Sequence, residues 1–276
     1  MALNLFYITN KPDVALIAER YGVDRIWVDL EILGKAERQG QVDSVKSHHT
    51  VEDVRIIKPL LTKSEMLVRV NPWHDGSVAE INAVIDAGAD IVMLPMWKSI
   101  EEVKNFLETV GHRAKTSLLL ETKEAVECVD EVLELDFDEV HIGLNDLHLS
   151  YHMTFMFEPL ADGTVDALCA KFRERNIPYG FGGIAKIGDG LLPAEKLIME
   201  HYRLGSTRAI LSRTFCDNAV IDSTEEIERV FKENMAKIRE FEDKVSHMTK
   251  QELLANQEDV KASVERIVEE LKRKKS

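Results

Sequence analysis

Short apolar runs alternate along the chain with longer amphipathic stretches, and a glycine, a proline or an acid marks most of the joins. Leu3–Ile8 reads as a first strand. Pro12 and Asp13 then open a helix through Tyr21, with Val14, Ile17, Ala18 and Tyr21 on one face and Gly22 stopping it. Ile26–Leu30 is a second strand, followed by a long polar loop, Gly34–Thr50, and a helix over Val51–Leu61 that Thr50 caps. Met66–Val70 is the third strand, Val78–Ala87 a helix ended by Gly88, Ile91–Leu94 the fourth strand, and Ile100–Val110 a helix leading to the fifth, Ser117–Thr122. Beyond these, the pattern predicts a helix over Glu124–Leu135, a strand over Val140–Gly143, a helix over Thr164–Arg175 and a glycine-rich strand over Pro178–Gly183. A helix over Leu191–Tyr202, with Pro193 in its first turn, precedes the last strand, Arg208–Leu211. Apolar runs buried on both faces and separated by helices belong to parallel strands, and eight such units predict an α/β fold, a closed (β/α)8 TIM barrel. The segments GVDRIWVDL, GADIVMLPM and GSTRAILSR repeat one joint, a glycine past a helix, a polar pair and an apolar run.

From about Ser223 the period changes. Ile227, Val230, Phe231, Met235, Ile238, Phe241 and Val245 recur at three-four spacing in a highly charged background, so Ser223–Ser246 is a long amphipathic helix. Thr249 and Glu252 form a capping box for a second helix carrying Leu253, Val260, Val264, Ile267, Val268 and Leu271. The expected division is a catalytic barrel over residues 1–222 and a helical extension over 223–276. The apolar stripes of the two helices either pack back on their own barrel or cross to a neighbouring subunit. The terminal Lys272–Lys275 run suits a helix C-terminus.

Composition narrows the function. At 276 residues the length suits one α/β barrel, typically about 250 residues. The net charge of −14 argues against a broad nucleic-acid-binding face. Cys128, Cys169 and Cys216 are odd in number and far apart, which fits reduced cytoplasmic thiols rather than a disulfide frame or zinc cluster. Met1–Asn10 lacks the pattern of a secretory leader, and no 18 apolar residues run together, so no membrane partner is expected.

The chemistry-bearing residues gather where strands stop. Asp29 and Glu31 follow the second strand, Arg69 ends the third, Glu121 ends the fifth, and Asp146 follows the sixth in HIGLNDLHLS. Strand C-terminal ends converge on one rim of a parallel barrel, so Glu121 and Asp146 either bind a divalent cation there or cap the helices that follow them. A hard cation on two carboxylates keeps positions open for the carboxylate and keto oxygens of a 2-oxo acid, and Arg69 suits the enolate oxygen that forms as a carbon–carbon bond breaks or is made. No lysine ends a central strand, although Lys98 and Lys186 lie in rim loops, which disfavours Schiff-base chemistry.

The segments VDLE at 28–31, VRVN at 68–71, LPM at 94–96, LLLET at 118–122 and IGLNDLHLS at 142–150 resemble, in order and spacing, the HpcH/HpaI aldolase and citrate lyase beta-subunit family, over roughly residues 1–217. The resemblance implies a (β/α)8 barrel in which Glu121 and Asp146 hold Mg2+ or Mn2+ and Arg69 binds the oxygen of pyruvate or oxaloacetate. It implies that backbone amides of Gly143–Asp146, Asn145 among them, hold the substrate carboxylate, and that C-terminal helices are exchanged in a homo-oligomer, a trimer or hexamer. One departure stands out: where the aldolase branch has a proton-transferring histidine after the acidic pair, this chain has Ile32. His48 or His49, in KSHHT, either replaces it or is a plain neighbour of the helix cap, and a metal-bound water is a further candidate. The loop with Lys35, Glu37 and Arg38 looks somewhat like the citrate lyase branch.

Other residues allow two readings each. Gly180, Gly182 and Gly183 either bind an anion such as phosphate, with Arg213 helping, or allow close strand packing. His148 and His152, four apart, would share a helical face as a zinc site needs, but the family resemblance gives them no ligand role and implies a bearing on specificity. Trp73 and Trp97 either line the pocket or cover the barrel top. The expected function is a metal-dependent carbon–carbon lyase acting on a pyruvate-like 2-oxo acid and an aldehyde, with Asp29 and Glu31 among the substrate-binding residues. A lyase acting on a coenzyme A thioester, of the citrate lyase or malyl type, and a non-catalytic metabolite-binding or scaffold barrel are the alternatives.

Overall fold

A computed structural model of the chain describes residues 2–34, 49–221 and 223–275. Strands β1 (Asn4–Ile8), β2 (Arg25–Asp29), β3 (Glu65–Arg69), β4 (Ile91–Leu94), β5 (Lys115–Leu120), β6 (Glu139–Ile142), β7 (Tyr179–Ile184) and β8 (Arg208–Leu211) close into a barrel in sequence order. The helices are α1 (Pro12–Arg20), α2 (Val51–Ile57), α3 (Ser77–Asp86), α4 (Ile100–Val110), α5 (Lys123–Glu127), α6 (Val129–Val132), α7 (Leu144–Ser150), α8 (Glu158–Ala161), α9 (Thr164–Glu174), α10 (Ala194–Leu204), α11 (Thr224–Ser246) and α12 (Lys250–Lys275). This is the predicted (β/α)8 barrel with a helical C-terminus. Among the described residues no helix is long and apolar enough to cross a membrane.

Local chemistry sets most boundaries. Thr50 and Asp53 form a reciprocal capping box at α2, as Ser99 and Glu102 do at α4. Gly111 and Gly205 end α4 and α10 in the left-handed region, at φ 57° and 72°, where a side chain is costly. Three predicted helices differ; the one expected over Val51–Leu61 is α-helical only to Ile57 and continues as a 3-10 turn over Lys58–Leu60. The Glu124–Leu135 stretch breaks at Cys128 into α5 and α6, with Ala125, Val129 and Val132 still buried. The helix expected from Leu191 starts at Ala194, since Gly188 and Gly190, at φ 86° and 101°, hold the approach in a turn and leave Leu191 exposed.

The chain divides into two compact units, Phe6–His141 and Met1–Leu5 with Ile142–Ser276. In the first, Arg25, Trp27 and Asp29 share one face of β2 by the two-residue period of a strand. Arg25, 3% exposed, donates through Nη1 and Nη2 to Glu139 and through Nε to Glu65 at 3.0 Å, and lies 4.7 Å over the Phe6 ring. Burial opposes its charge, but Glu139 and Glu65 outweigh that and raise its pKa. Lys115 pairs with the same Glu65. An ion network therefore occupies the N-terminal ends of β2, β3, β5 and β6, on the face of β2 and β3 that also carries Trp27 and Leu67, while Ile26 and Val68 lie on the other face.

In the second unit, His201 stacks on Phe181 with ring centroids 3.9 Å apart, and its Nδ1 shares a 2.7 Å hydrogen bond with Ser206 Oγ. Both C-terminal helices pack back on their own chain. Ile227, Phe231, Met235 and Ile238 of α11 are buried, and Glu242 accepts the Leu3 N–H at 2.7 Å. On α12, Val260 and Val264 are buried, Asn256 donates to Glu200 at 2.8 Å, and Lys196 reaches Ser263 Oγ at 2.8 Å.

Glu19 on α1 is a second anchor of the first unit. Its Oε1 accepts N–H bonds from Thr62, Lys63 and Ser64 at 2.8, 2.7 and 2.8 Å. Burial alone raises the carboxyl pKa, but the donors of Ser64, Lys63 and Thr62 outweigh it and hold the group below its ordinary value. The stabilisation is thus fully present above the ordinary carboxyl pKa, about 4.3, and is lost as pH falls through the lowered folded value. In urea titrations E19Q should cost about 2 kcal/mol at pH 7, and the gap to wild type should shrink below about pH 4; an equal gap at pH 7 and pH 3 would contradict this account.

Candidate active site

At the C-terminal ends of its strands the first unit assembles a guanidinium between acids. The β2–β3 register puts Asp29 opposite Arg69, so the two side chains emerge on the same face of adjacent strands. Arg69 donates through Nε to Asp29 Oδ1 at 2.8 Å and through Nη2 to Oδ2 at 2.7 Å. Asp29 Oδ1 also accepts the Glu31 N–H at 3.2 Å, which turns the chain so that Glu31 Oε2 stands 3.2 Å from Arg69 Nη1. The guanidinium lies 5.2 Å from the Trp27 ring centroid. Asp29 and Glu31 are 3% and 2% exposed. Burial works against the Arg69 charge, but Asp29, Glu31 and then Glu121 outweigh it and raise its pKa well above the ordinary value. Two of its five N–H donors are not committed to Asp29 or Glu31.

Glu121 directly follows β5, is 3% exposed, and accepts the Met96 N–H at 3.1 Å. Met96 makes that bond from φ 53°, a conformation costly for a residue with a side chain. Thr122, not Glu121, caps α5: its Oγ1 accepts the Ala125 N–H at 3.0 Å and donates to the Trp97 carbonyl at 2.8 Å. Trp97 is buried and Trp73 half-buried.

The turn after β2 is held by Asn71 and Glu80, which sequence patterns did not single out as functional. Asn71 Oδ1 accepts the N–H groups of Ile32 and Leu33 at 2.9 and 3.0 Å, and its Nδ2 donates to Glu80 at 2.7 Å. Glu80 stands 3.5 Å from His74. His49 Nδ1 accepts the Asp29 N–H at 2.9 Å. Ile32 itself is 64% exposed. His48, with Lys35, Glu37 and Arg38 of the same loop, lies outside the described residues.

In the second unit α7 starts directly after β6, so Asp146 sits in the first turn of a helix and not in a loop. Gly143 is the N-cap residue and Asn145 is exposed. His148 and His152 do not share a helical face, because α7 ends at Ser150 and His152 takes φ 57° beyond it. Burial pulls the His148 pKa below the ordinary imidazole value, against the carbonyls of Asn145 and Leu144 and the charges of Asp146 and Glu158. A Cβ on Gly182, at φ 54°, would meet Leu144 Cδ1 at 2.9 Å. Gly183 has more room, its nearest neighbour being Ser212 Cβ at 3.4 Å. Arg213 is exposed in the turn after β8. Burial raises the Cys128 and Cys169 thiols, which disfavours thiolate chemistry.

Among the described residues no three His, Cys, Asp or Glu side chains form a metal cage. Mg2+ and Mn2+ use a different mode, with one or two carboxylate donors and the other positions filled by water and substrate, and the buried Glu121 is a carboxylate of that kind.

The Asn71 tether yields an expected outcome. N71L removes an acceptor for two N–H groups and a donor to Glu80, and should lower stability by about 2 kcal/mol in urea unfolding. V78A, at a residue 49% exposed on α3, should stay within about 0.5 kcal/mol of wild type. Equal midpoints for the two variants would remove the assigned role of Asn71.

The family profile described as HpcH/HpaI aldolase/citrate lyase matches residues 3–155. A solved structure, the HpcH/HpaI aldolase from Desulfitobacterium hafniense DCB-2, superposes with a TM-score of 0.60 at 16% sequence identity, covering 79% of this chain and 92% of that one. At that identity it supports the fold alone. No curated protein matches the sequence. With more than half of its length matched and its barrel closed, the chain belongs to the HpcH/HpaI aldolase/citrate lyase family.

Proposed function

We propose that the protein is a metal-dependent carbon–carbon lyase that forms the enolate of a pyruvate-like 2-oxo acid and joins it to, or releases it from, an aldehyde. Membership in a family of aldolases and lyases supports the reaction class. The observation that carries the finer reading is Arg69, a largely buried guanidinium gripped on one side by Asp29 and Glu31, with two N–H donors beyond those contacts. Such a group meets developing negative charge without reorganising, and this is what lowers the barrier to an enolate.

Each residue has a role in this reading. Glu121 and Asp146 would hold Mg2+ or Mn2+, which when bound polarises the keto group of the substrate. Arg69 donates to the substrate oxygen as its charge grows. Asp29 and Glu31 keep the guanidinium charged and oriented. The first-turn amides of α7, from Gly143 through Asn145 to Asp146, suit the substrate carboxylate, since a helix start presents N–H groups to an anion. Met96 steadies Glu121 through its N–H.

Calorimetry with Mn2+, with and without pyruvate, tests the metal site, and solvent deuterium exchange into the pyruvate methyl group tests enolisation. Wild type should bind Mn2+ more tightly with pyruvate, D146A should lose both, and R69K should lose about a hundredfold or more in exchange, because a lysine cannot reproduce the bidentate grip. Wild type that binds neither metal nor pyruvate would sink the lyase reading in favour of a metabolite-binding or scaffold barrel. Turnover confined to coenzyme A thioesters would point to citrate-lyase-like chemistry.

A further inference from the structure

His49 lies beside the Arg69 cluster, and its ring geometry restricts what it can do. Along the β1–β2 edge, the Thr9 N–H donates to the Trp27 carbonyl at 3.1 Å, a rung of the parallel ladder. The next N–H up β2 on that edge belongs to Asp29. β1 has ended at Ile8, and Thr9 Oγ1 is turned to the Lys11 N–H at 3.1 Å. The Asp29 N–H finds its acceptor in the His49 ring, at Nδ1, 2.9 Å away. A backbone N–H only donates, so this Nδ1 carries a lone pair and no proton, and the neutral ring carries its proton on Nε2.

We propose that His49 is a positioning residue for the active site rather than its base: its Nδ1 replaces a strand carbonyl at the end of β2 and fixes the backbone of Asp29. Asp29 in turn grips Arg69 through both carboxylate oxygens, so the ring sets where the guanidinium stands. A base needs a lone pair facing the proton it removes. In His49 that lone pair is spent on Asp29, and the other nitrogen holds a proton. The consequence for catalysis rests on the proposed enolisation; the tautomer and the Asp29 contact do not.

The side chains of Asn and Gln separate the two nitrogens, because an Asn amide oxygen reaches about as far as Nδ1 and a Gln amide about as far as Nε2. Three readouts are expected to agree on the full-length protein. Nitrogen NMR of the histidine ring in wild type should show an unprotonated Nδ1 and a protonated Nε2. Hydrogen exchange at the Asp29 amide, read against those of Ile26–Val28, should speed up about tenfold in H49A and H49Q, the factor expected for one lost hydrogen bond, and be restored in H49N. Deuterium exchange into pyruvate should fall in H49A and H49Q and recover in H49N. A protonated Nδ1, an Asp29 amide still protected in H49A, or any pattern in which H49N fails to exceed H49Q overturns the assignment. Wild type inactive towards pyruvate would remove the proposed reaction, while the ring-nitrogen and amide measurements would still decide the role of His49.

Discussion

Arg69 must stay charged where water scarcely reaches it, and the residues around the ends of β2 and β3 are arranged to meet that demand. Desolvation alone would disfavour the guanidinium, so Asp29 and Glu31 are drawn in with it, one bidentate and one at 3.2 Å. Those acids must themselves be held. Asp29 is fixed by strand register and by His49 at its backbone, and Glu31 by the turn that Asp29 Oδ1 closes. Asn71 anchors the next two residues, Ile32 and Leu33, and is itself oriented by Glu80. The result is an arginine whose position is determined from several sides, as stabilisation of a developing charge requires.

The N-terminal ends of the same strands solve a related problem differently. Arg25 is also buried, yet its donors are directed at Glu139 and Glu65, and Phe6 stacks beneath it. Comparing the two arginines distinguishes a closure from a site. Both engage Nε, Nη1 and Nη2 with acids, but Arg69 keeps 11% of its side chain exposed where Arg25 keeps 3%. This asymmetry agrees with (β/α)8 barrels in general, where one end of the strands carries stability and the other chemistry.

Strain and close packing mark the working end as well. Met96 takes a left-handed conformation to present its N–H to Glu121. Such conformations persist only when surrounding packing enforces them. Here the buried Trp97, whose carbonyl is held by Thr122, follows Met96 directly.

The linear pattern alone determined the eight strands, their alternation with helices and the acids and arginine at strand ends, because hydrophobic period and capping chemistry are local and survive in one dimension. The apolar stripes of α11 and α12 were equally legible, though not what covers them: the same stripe serves a neighbour or its own barrel, and only contacts such as Glu242 with Leu3 and Asn256 with Glu200 show packing back on the chain. What tertiary structure decided are relations between residues far apart in sequence. Met96 serves Glu121, Asn71 tethers Ile32 and Leu33, and His49 spends its Nδ1 on Asp29. None of these leaves a local trace, since each depends on where a backbone N–H points once strands have paired, and that direction exists only in the closed sheet.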